Sequence, residues 1–499
     1  MDINSAKQTL DEIERKQFAY KYVLSVVMND ASTVAPEGSY TARGAALGTL
    51  AGETFKLETS PELKEAVNYL FDHKEEAGQE YFRRAELIRE NIRKMEKLPV
   101  EEYMAYEELM NNAHVAWLNA KKNNDFASFA PYIRKIVDTQ IRFASLTDPG
   151  KDPYDVALDA HEEGTNREYY DRFFEEVKET LIPLIAKIKA KEQPDNSWLK
   201  VKYPVETQKK LSDVLMNTFH LDRSHCVLGE TEHPYTSGAS SQDVRITTHY
   251  YENDPIASMY SVIHEGGHAN YELHVNPEYD YNILSGGASM AMHESQSRFW
   301  ENYVGRSESF IQAFWPTFHG LFPEQTQGHT AEELYRCVNL AHPSLIRTEA
   351  DELTYSLHIL IRYEIEKKLF SGELDVEDIP TAWNEKYQEY LGVTVPNDSK
   401  GCLQDVHWSQ GSFGYFPTYS LGTAYSAQIL DTMKKELDFD LLLRNNDLEP
   451  ILSWLSERIY QFGNLKKPGS YVPDITGKPF TAKYYTEYLR DKYTKLYDL

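Results

Sequence analysis

The chain has 499 residues and carries 52 Lys plus Arg against 78 Asp plus Glu, a net charge of −26. That surplus argues against nucleic acid and anionic membrane surfaces as partners, since both select basic patches. Apolar residues make up 41%, enough for a large core, and Tyr leads the aromatics with 35, which suits groove walls that present hydroxyls. The three cysteines, Cys226, Cys337 and Cys402, are odd in number, widely spaced and without a C-x-x-C pair. They fit a reducing compartment and no disulfide framework. Met1-Asp2-Ile3-Asn4 is no basic leader, and the apolar stretch from Phe18 to Met28 is broken by Lys21 and too short to span a bilayer. The expectation is a cytoplasmic protein.

From the N-terminus to about residue 192 the pattern is helical. Asn4-Ser5 caps a first helix through Phe18, Tyr22 and Val26, which Pro36-Glu37-Gly38 breaks. Ala42 to Thr54, rich in Ala and Gly, predicts a helix that another element approaches closely. Ser60-Pro61 opens the next, and Tyr81, Ala85, Ile88 and Ile92 mark an amphipathic face on a charged helix. Ser145 to Pro153 is a loop, and Thr165-Asn166 caps a long helix through Phe173, Val177, Leu181 and Ile185. Gln193 to Ser197 reads as a loop inside one large domain. The expected organisation is therefore a single catalytic domain over residues 1–499, with a helical part over 1–192 and a binding part over 193–499.

His225 to Gly229 predicts a short strand. Asp243 to Tyr250 alternates Val, Ile, Thr and Tyr with polar residues, the period of a half-buried strand. An exposed strand edge there would align an extended peptide by backbone hydrogen bonds. The predicted fold class is mostly helical, with a small antiparallel sheet beside the next helix.

That helix spans about Pro255 to His274 and contains His264-Glu265-Gly266-Gly267-His268, an H-E-x-x-H motif. Residues i and i+4 share a helix face, so His264 and His268 present two imidazoles to one metal ion, and Glu265 stands beside them as catalytic carboxylate. A catalytic zinc has three protein ligands and an open position. Glu294 lies 26 residues after His268, on a second predicted helix from Ala288 to Gly305, and is the candidate third ligand. His293 next to it would hold a ligand or touch substrate. Two glycines within a helix cost about 1 kcal/mol each relative to Ala, so Gly266 and Gly267 should face a groove or a closely packed neighbour. Imidazole–carboxylate sites take Zn2+ and also accept Co2+ or Mn2+.

An attacking water would give its proton to Glu265, which passes it to the leaving amine. The tetrahedral oxyanion needs donors. The Gly- and aromatic-rich stretch from Gly401 to Gly422, read as a loop, holds three: His407, Tyr415 and Tyr419. A substrate carboxylate calls for an arginine fork. Arg245, Arg298 and Arg347 all qualify. Arg298 stands four residues from Glu294, and Arg347 four from Asp351, the spacing of intrahelical salt bridges. Residue chemistry leaves the three open.

Six elements between Thr231 and Trp408 together resemble the thermostable carboxypeptidase Taq-type metallocarboxypeptidase family. They are His233-Pro234-Tyr235 for H-P-F, Asp243 to Thr247 for D-x-R-x-T, the H-E-x-x-H itself, His293 to Arg298 for H-E-S-x-S-R, Ile346 to Asp351 for I-R-x-x-A-D, and Gly401 to Trp408 for G-x-x-Q-D-x-H-W. Tyr235 in place of Phe is the departure, adding a hydroxyl to a wall. The resemblance implies a helical fold split by a deep groove, similar to neurolysin. It implies a homodimer that removes single C-terminal residues from peptides with a free C-terminus, with broad specificity and poor action at proline. It implies His264, His268 and Glu294 as ligands of one zinc per subunit, Glu265 as catalytic, and Arg347 as the carboxylate anchor. Two other readings are an endo-oligopeptidase on the same scaffold and a non-catalytic helical metal-binding protein.

Overall fold

A computed structural model describes all 499 residues. The chain is mostly helical, and the helices follow the capping signals. Asp2 rather than Asn4 caps the first helix, Ile3–Thr33, its carboxylate accepting the Ser5 N–H. Ser60 caps Pro61–Asp72 and Asn166 caps Arg167–Lys189, as expected. No helix is long and apolar enough to cross a membrane. The three cysteines are free and buried.

Two separate apolar clusters organise the packing. The smaller joins Ala6, Leu10 and Ile13 to Leu63, Val67, Leu70, Ala85 and Ile88 of the N-terminal helices. The larger gathers 100 residues from Ala113 to Tyr497. Polar contacts tie the N-terminal helices to the rest. Tyr22 donates to Asp243 at 2.7 Å, and Glu14, buried and paired with Arg84, accepts the Ile283 N–H at 3.0 Å. The helix Tyr40–Glu58 forms, but Gly44, Gly48 and Gly52 meet no neighbour within 4 Å. At these glycines the expected close approach does not occur.

The sheet has three strands, β1 (Cys226–Glu230), β2 (Thr236–Ser240) and β3 (Asp243–Thr248), in the order β1-β3-β2. β1 runs parallel to β3 and β2 antiparallel to it. The sheet is thus mixed, not antiparallel, because β2 and β3 form a tight hairpin while β1 adds on the other side. β3, the strand with the clear alternation, is central and paired on both edges, so it offers no edge to a peptide. The free edge nearer the H-E-x-x-H helix belongs to β2, whose Thr-Ser-Gly-Ala-Ser sequence has no apolar alternation to announce it.

The H-E-x-x-H helix spans Pro255–Leu273, with Asp254 as cap and Pro255 at its first position. The Glu294 helix spans Met290–Arg298, capped by Ser289, and continues as one wide π turn over Phe299–Gly305. The stretch read as a loop from Gly401 to Gly422 ends early. From Phe416 onward it is a buried helix, Phe416–Glu436, so Tyr419 projects from a helix. An open cavity of about 790 Å³ lies between the helices Val100–Asn123 and Phe126–Thr147, lined by Tyr106, Tyr132 and Arg142 among others, and none of the predicted site residues lines it.

Candidate active site

Glycines set the spacing of three helices here. A Cβ on Gly267 would lie 2.6 Å from Ser297 Cα and 2.8 Å from the Gln296 carbonyl oxygen. The H-E-x-x-H helix therefore rests directly on the backbone of the Glu294 helix. On the other side a Cβ on Gly422 would overlap the carbonyl oxygen of Ala291. The Glu294 helix is thus clamped between two glycine faces. Gly266 faces Leu221 at 3.1 Å. Gly267 serves close helix packing and Gly266 makes room for the Leu221 side chain, so both have the closely packed neighbour expected of residues that forgo helix propensity.

The clamp brings three ligand atoms together. His264 Nε2 lies 3.7 Å and His268 Nε2 3.5 Å from Glu294 Oε2. One ligand atom from each residue falls within 4.8 Å of the other two, and Glu294 is buried. Two bonds of about 2.1 Å at a tetrahedral angle separate their ligand atoms by about 3.4 Å, so the cluster suits one small divalent ion with nitrogen and oxygen donors. Both Nδ1 atoms are engaged elsewhere, which leaves the Nε2 lone pairs for the ion. His264 Nδ1 meets Glu301 Oε2 at 2.9 Å, and His268 Nδ1 meets His293 Nδ1 at 2.7 Å.

The charges support that arrangement. Burial opposes ionisation of Glu294, but Arg298, His264 and His268 outweigh it and hold the carboxyl far below its usual range. Burial draws His268 down to about 4, toward the neutral form that ligates a metal. Burial also acts to lower His264, but Glu294 and the Glu301 hydrogen bond overcome it and raise it. Glu265 is 8% exposed and pushed upward, chiefly by burial. Its Oε2 accepts the Thr236 hydroxyl of β2 at 2.5 Å, and no cation pairs with it directly.

The three arginines separate cleanly. Arg298 donates to Glu294 at 2.8 Å and to Glu301 at 3.0 Å along its own helix, so its fork is used. Arg245 chelates Asp243 at 2.8 and 2.9 Å beside Asn29 of the first helix. Arg347 does not pair with Asp351, because it sits in a short 3-10 turn, Arg347–Glu349, where i and i+4 do not align. Asp351 instead caps the next helical turn through Leu353 and Thr354. Arg347, 7% exposed, donates to Asp405 at 2.9 Å. Arg362, fully buried, donates to the other Asp405 oxygen at 2.7 Å. Two guanidiniums thus share one carboxylate.

Tyr355 joins this arginine pair to the metal-ligand cluster. Its ring lies under the Arg298 guanidinium at 4.3 Å, and its hydroxyl accepts from Arg347 at 3.3 Å. Tyr419 packs beneath Arg347 at 5.2 Å, Tyr415 meets Tyr419 edge-on at 5.1 Å, and His407 Nε2 reaches the Tyr419 hydroxyl at 3.3 Å. Both tyrosines are raised, mainly by burial, and both feel Glu294 and Arg347. His407 is drawn down to about 3 by burial and then by Arg347, so its neutral ring is available as donor or acceptor. His233 is exposed on the turn before β2, and only its backbone oxygen is engaged, by Thr231. His233 and Arg245 therefore stay outside the cluster that gathers the rest.

Sequence reasoning missed Glu301, Thr236, Glu272, Tyr355, Asp405 and Arg362. Glu301, two turns after Glu294 on the same helix, carried a usable signal in its spacing. Asp405 stands as the acidic residue of the Gly401 to Trp408 motif, but nothing local assigns it to Arg347 and Arg362. The others come from distant segments, and no local pattern marks them.

Known proteins resemble this chain in sequence and in fold. The family described as Carboxypeptidase Taq (M32) metallopeptidase matches residues 9–493. Carboxypeptidase 1 of Bacillus subtilis is 37% identical over 499 residues, covering 100% of both chains. Thermostable carboxypeptidase 1 of Pyrococcus furiosus is 33% identical over 485 residues, covering 96% of each. The crystal structure of the M32 carboxypeptidase from Deinococcus radiodurans R1 superposes with a TM-score of 0.96 at 33% identity, covering 99% of this chain and 100% of that one. With a candidate metal cluster shared between the H-E-x-x-H helix and the Glu294 helix, and a match along nearly its whole length, this chain belongs to the Taq-type M32 family of metallocarboxypeptidases and is a peptide hydrolase.

Proposed function

We propose that the chain is a zinc carboxypeptidase that removes amino acids one at a time from the free C-terminus of peptides, with broad side-chain tolerance. His264, His268 and Glu294 hold the ion. When bound there, zinc supplies Lewis-acid polarisation of the scissile carbonyl and makes water more acidic. Glu265 takes the proton of the attacking water and delivers it to the leaving amine. Its burial, which raises its proton affinity, suits both halves of that task. Thr236 fixes the carboxylate from the β2 edge. Tyr415, Tyr419 and His407 supply donors to the oxyanion. The single domain, the homodimer and a cytoplasmic setting belong to the same reading, as does the deep groove.

The observation that carries release of C-terminal residues over internal cleavage is the Arg347 pair. Arg347 and Arg362 share Asp405, which leaves one buried positive charge unmatched beside the ligand cluster. A buried unmatched cation is costly unless an anion joins it. A peptide's terminal carboxylate is that anion. The test is mass spectrometry of a mixed peptide pool over time, with and without a chelator. The expected result is a ladder shortened one residue at a time from the C-terminus, stopped by the chelator and absent for C-terminal amides. Cleavage of amide-blocked peptides at internal bonds would replace this reading with the endo-oligopeptidase.

A further inference from the structure

The two histidine ligands are supported differently. His264 Nδ1 meets a carboxylate directly, at Glu301. His268 Nδ1 meets a second imidazole, His293, at 2.7 Å, and His293 Nε2 meets Glu272 Oε1 at 2.6 Å. Glu272 and His293 are each largely shielded from solvent, with side chains 16% and 18% exposed. Neither takes part in the steps above.

We infer that Glu272 and His293 form a relay of positioning residues that sets the tautomer of His268 and thereby the affinity of the site for its divalent ion. The relay rests on the reading of His268 as a ligand. Proton order follows from the chain of contacts. For Nε2 of His268 to offer a lone pair, its proton must sit on Nδ1. That N–H donates to His293 Nδ1, which must then be the bare nitrogen. His293 carries its proton on Nε2 and donates it to Glu272. Each proton has one place, and the carboxylate at the far end stabilises the whole order.

The backbone around the relay is shaped for it. Gly286 faces Glu272 and Gly287 faces His293. A Cβ on Gly287 would lie 2.6 Å from His293 Cδ2 and 3.0 Å from Tyr271. On the other side a Cβ on Gly238 would lie 2.8 Å from Glu272 Oε2. Gly238 belongs to β2, the strand whose Thr236 holds Glu265. One strand therefore bears on both the catalytic carboxylate and the far end of the relay.

The test is zinc affinity of the purified full chain, read by competition with a chromophoric chelator. The parent should bind one zinc, and His264→Ala should abolish that binding. Failure of the parent to bind would overturn the site itself and the relay with it. Glu272→Gln keeps the shape but not the charge. It should weaken zinc binding about 10- to 100-fold, while the metal-free variant melts where the metal-free parent does. Glu272→Asp should recover part of the loss. Gly287→Ala removes no polar group but displaces the His293 ring, and should weaken zinc binding to a similar degree. This second variant decides the matter if Glu272→Gln fails to fold. Parent-like zinc affinity in both Glu272→Gln and Gly287→Ala, with the parent binding normally, would overturn the relay and leave the metal site standing.

Discussion

At the candidate metal cluster Glu294 and Glu301 are matched by Arg298 and Arg306, and Glu265 is left without a cation. At the neighbouring Arg347 cluster two guanidiniums share Asp405, and one positive charge is left without an anion. The two regions are buried, joined through Tyr355, and unbalanced in opposite senses. A third buried charge completes the comparison. Glu162, 1% exposed, accepts from Ser289 Oγ at 3.0 Å and from the Ala291 N–H at 3.2 Å, at the start of the Glu294 helix, and no cation pairs with it. It is pushed up to about 7, chiefly by burial, and so meets its imbalance with a proton. On the proposed reading the Arg347 cluster meets its own imbalance with a substrate carboxylate.

The largest expected effect comes from the surplus carboxylate. Glu265→Gln should lower kcat about 10³-fold, as loss of a general base does, with zinc stoichiometry unchanged. Retained activity would remove Glu265 from the mechanism. Next is the shared carboxylate. Asp405→Asn leaves Arg347 and Arg362 buried with no anion, and breaking a buried pair in this way costs about 3–5 kcal/mol. Denaturant unfolding measures it, and a change below about 1 kcal/mol would mean that water already solvates the arginines.

Glu162 gives a pH-dependent effect with a definite sign. Its folded-state pKa lies above the unfolded value, so the folded chain holds the proton more tightly. The group costs nothing below about pH 4.5, where both states are protonated, and stability falls as pH rises through the window to about 7. Glu162→Gln should therefore match the parent at pH 4.5 and exceed it by up to about 3 kcal/mol at pH 8. An equal difference at both values would show that packing, not charge, decides. The smallest effect belongs to substrate binding. Arg347→Ala should raise KM about 10- to 100-fold for free-acid peptides, the value of a charge-assisted hydrogen bond. Peptide amides should be far less affected, and equal effects on both would take Arg347 out of the anchoring role.

By itself the sequence determined the local features of this protein. Helix periodicity put His264, Glu265 and His268 on one helix and Glu294 on the next. The capping residues Ser60 and Asn166 marked where two of the N-terminal helices begin, because both signals act within one or two turns of chain. The glycine pair announced close packing for the same reason, since a missing Cβ within a helix has a cost that local structure does not recover. Only the tertiary structure decided the partners. Arg347 and Asp351 have helical spacing, yet the backbone there is a 3-10 turn, and Arg347 turns to Asp405. Alternation showed that β3 is a strand but not that it is central, because strand order is set by segments elsewhere in the chain. β2 had no apolar signal and exists as a strand through its hydrogen bonds to β3. Thr236 on Glu265, Gly422 on Ala291, and Glu272 behind His293 and His268 join residues 21 to 131 positions apart. Charge, hydrogen bonding and overlap act through space, so these contacts were settled only when the helices closed on one another.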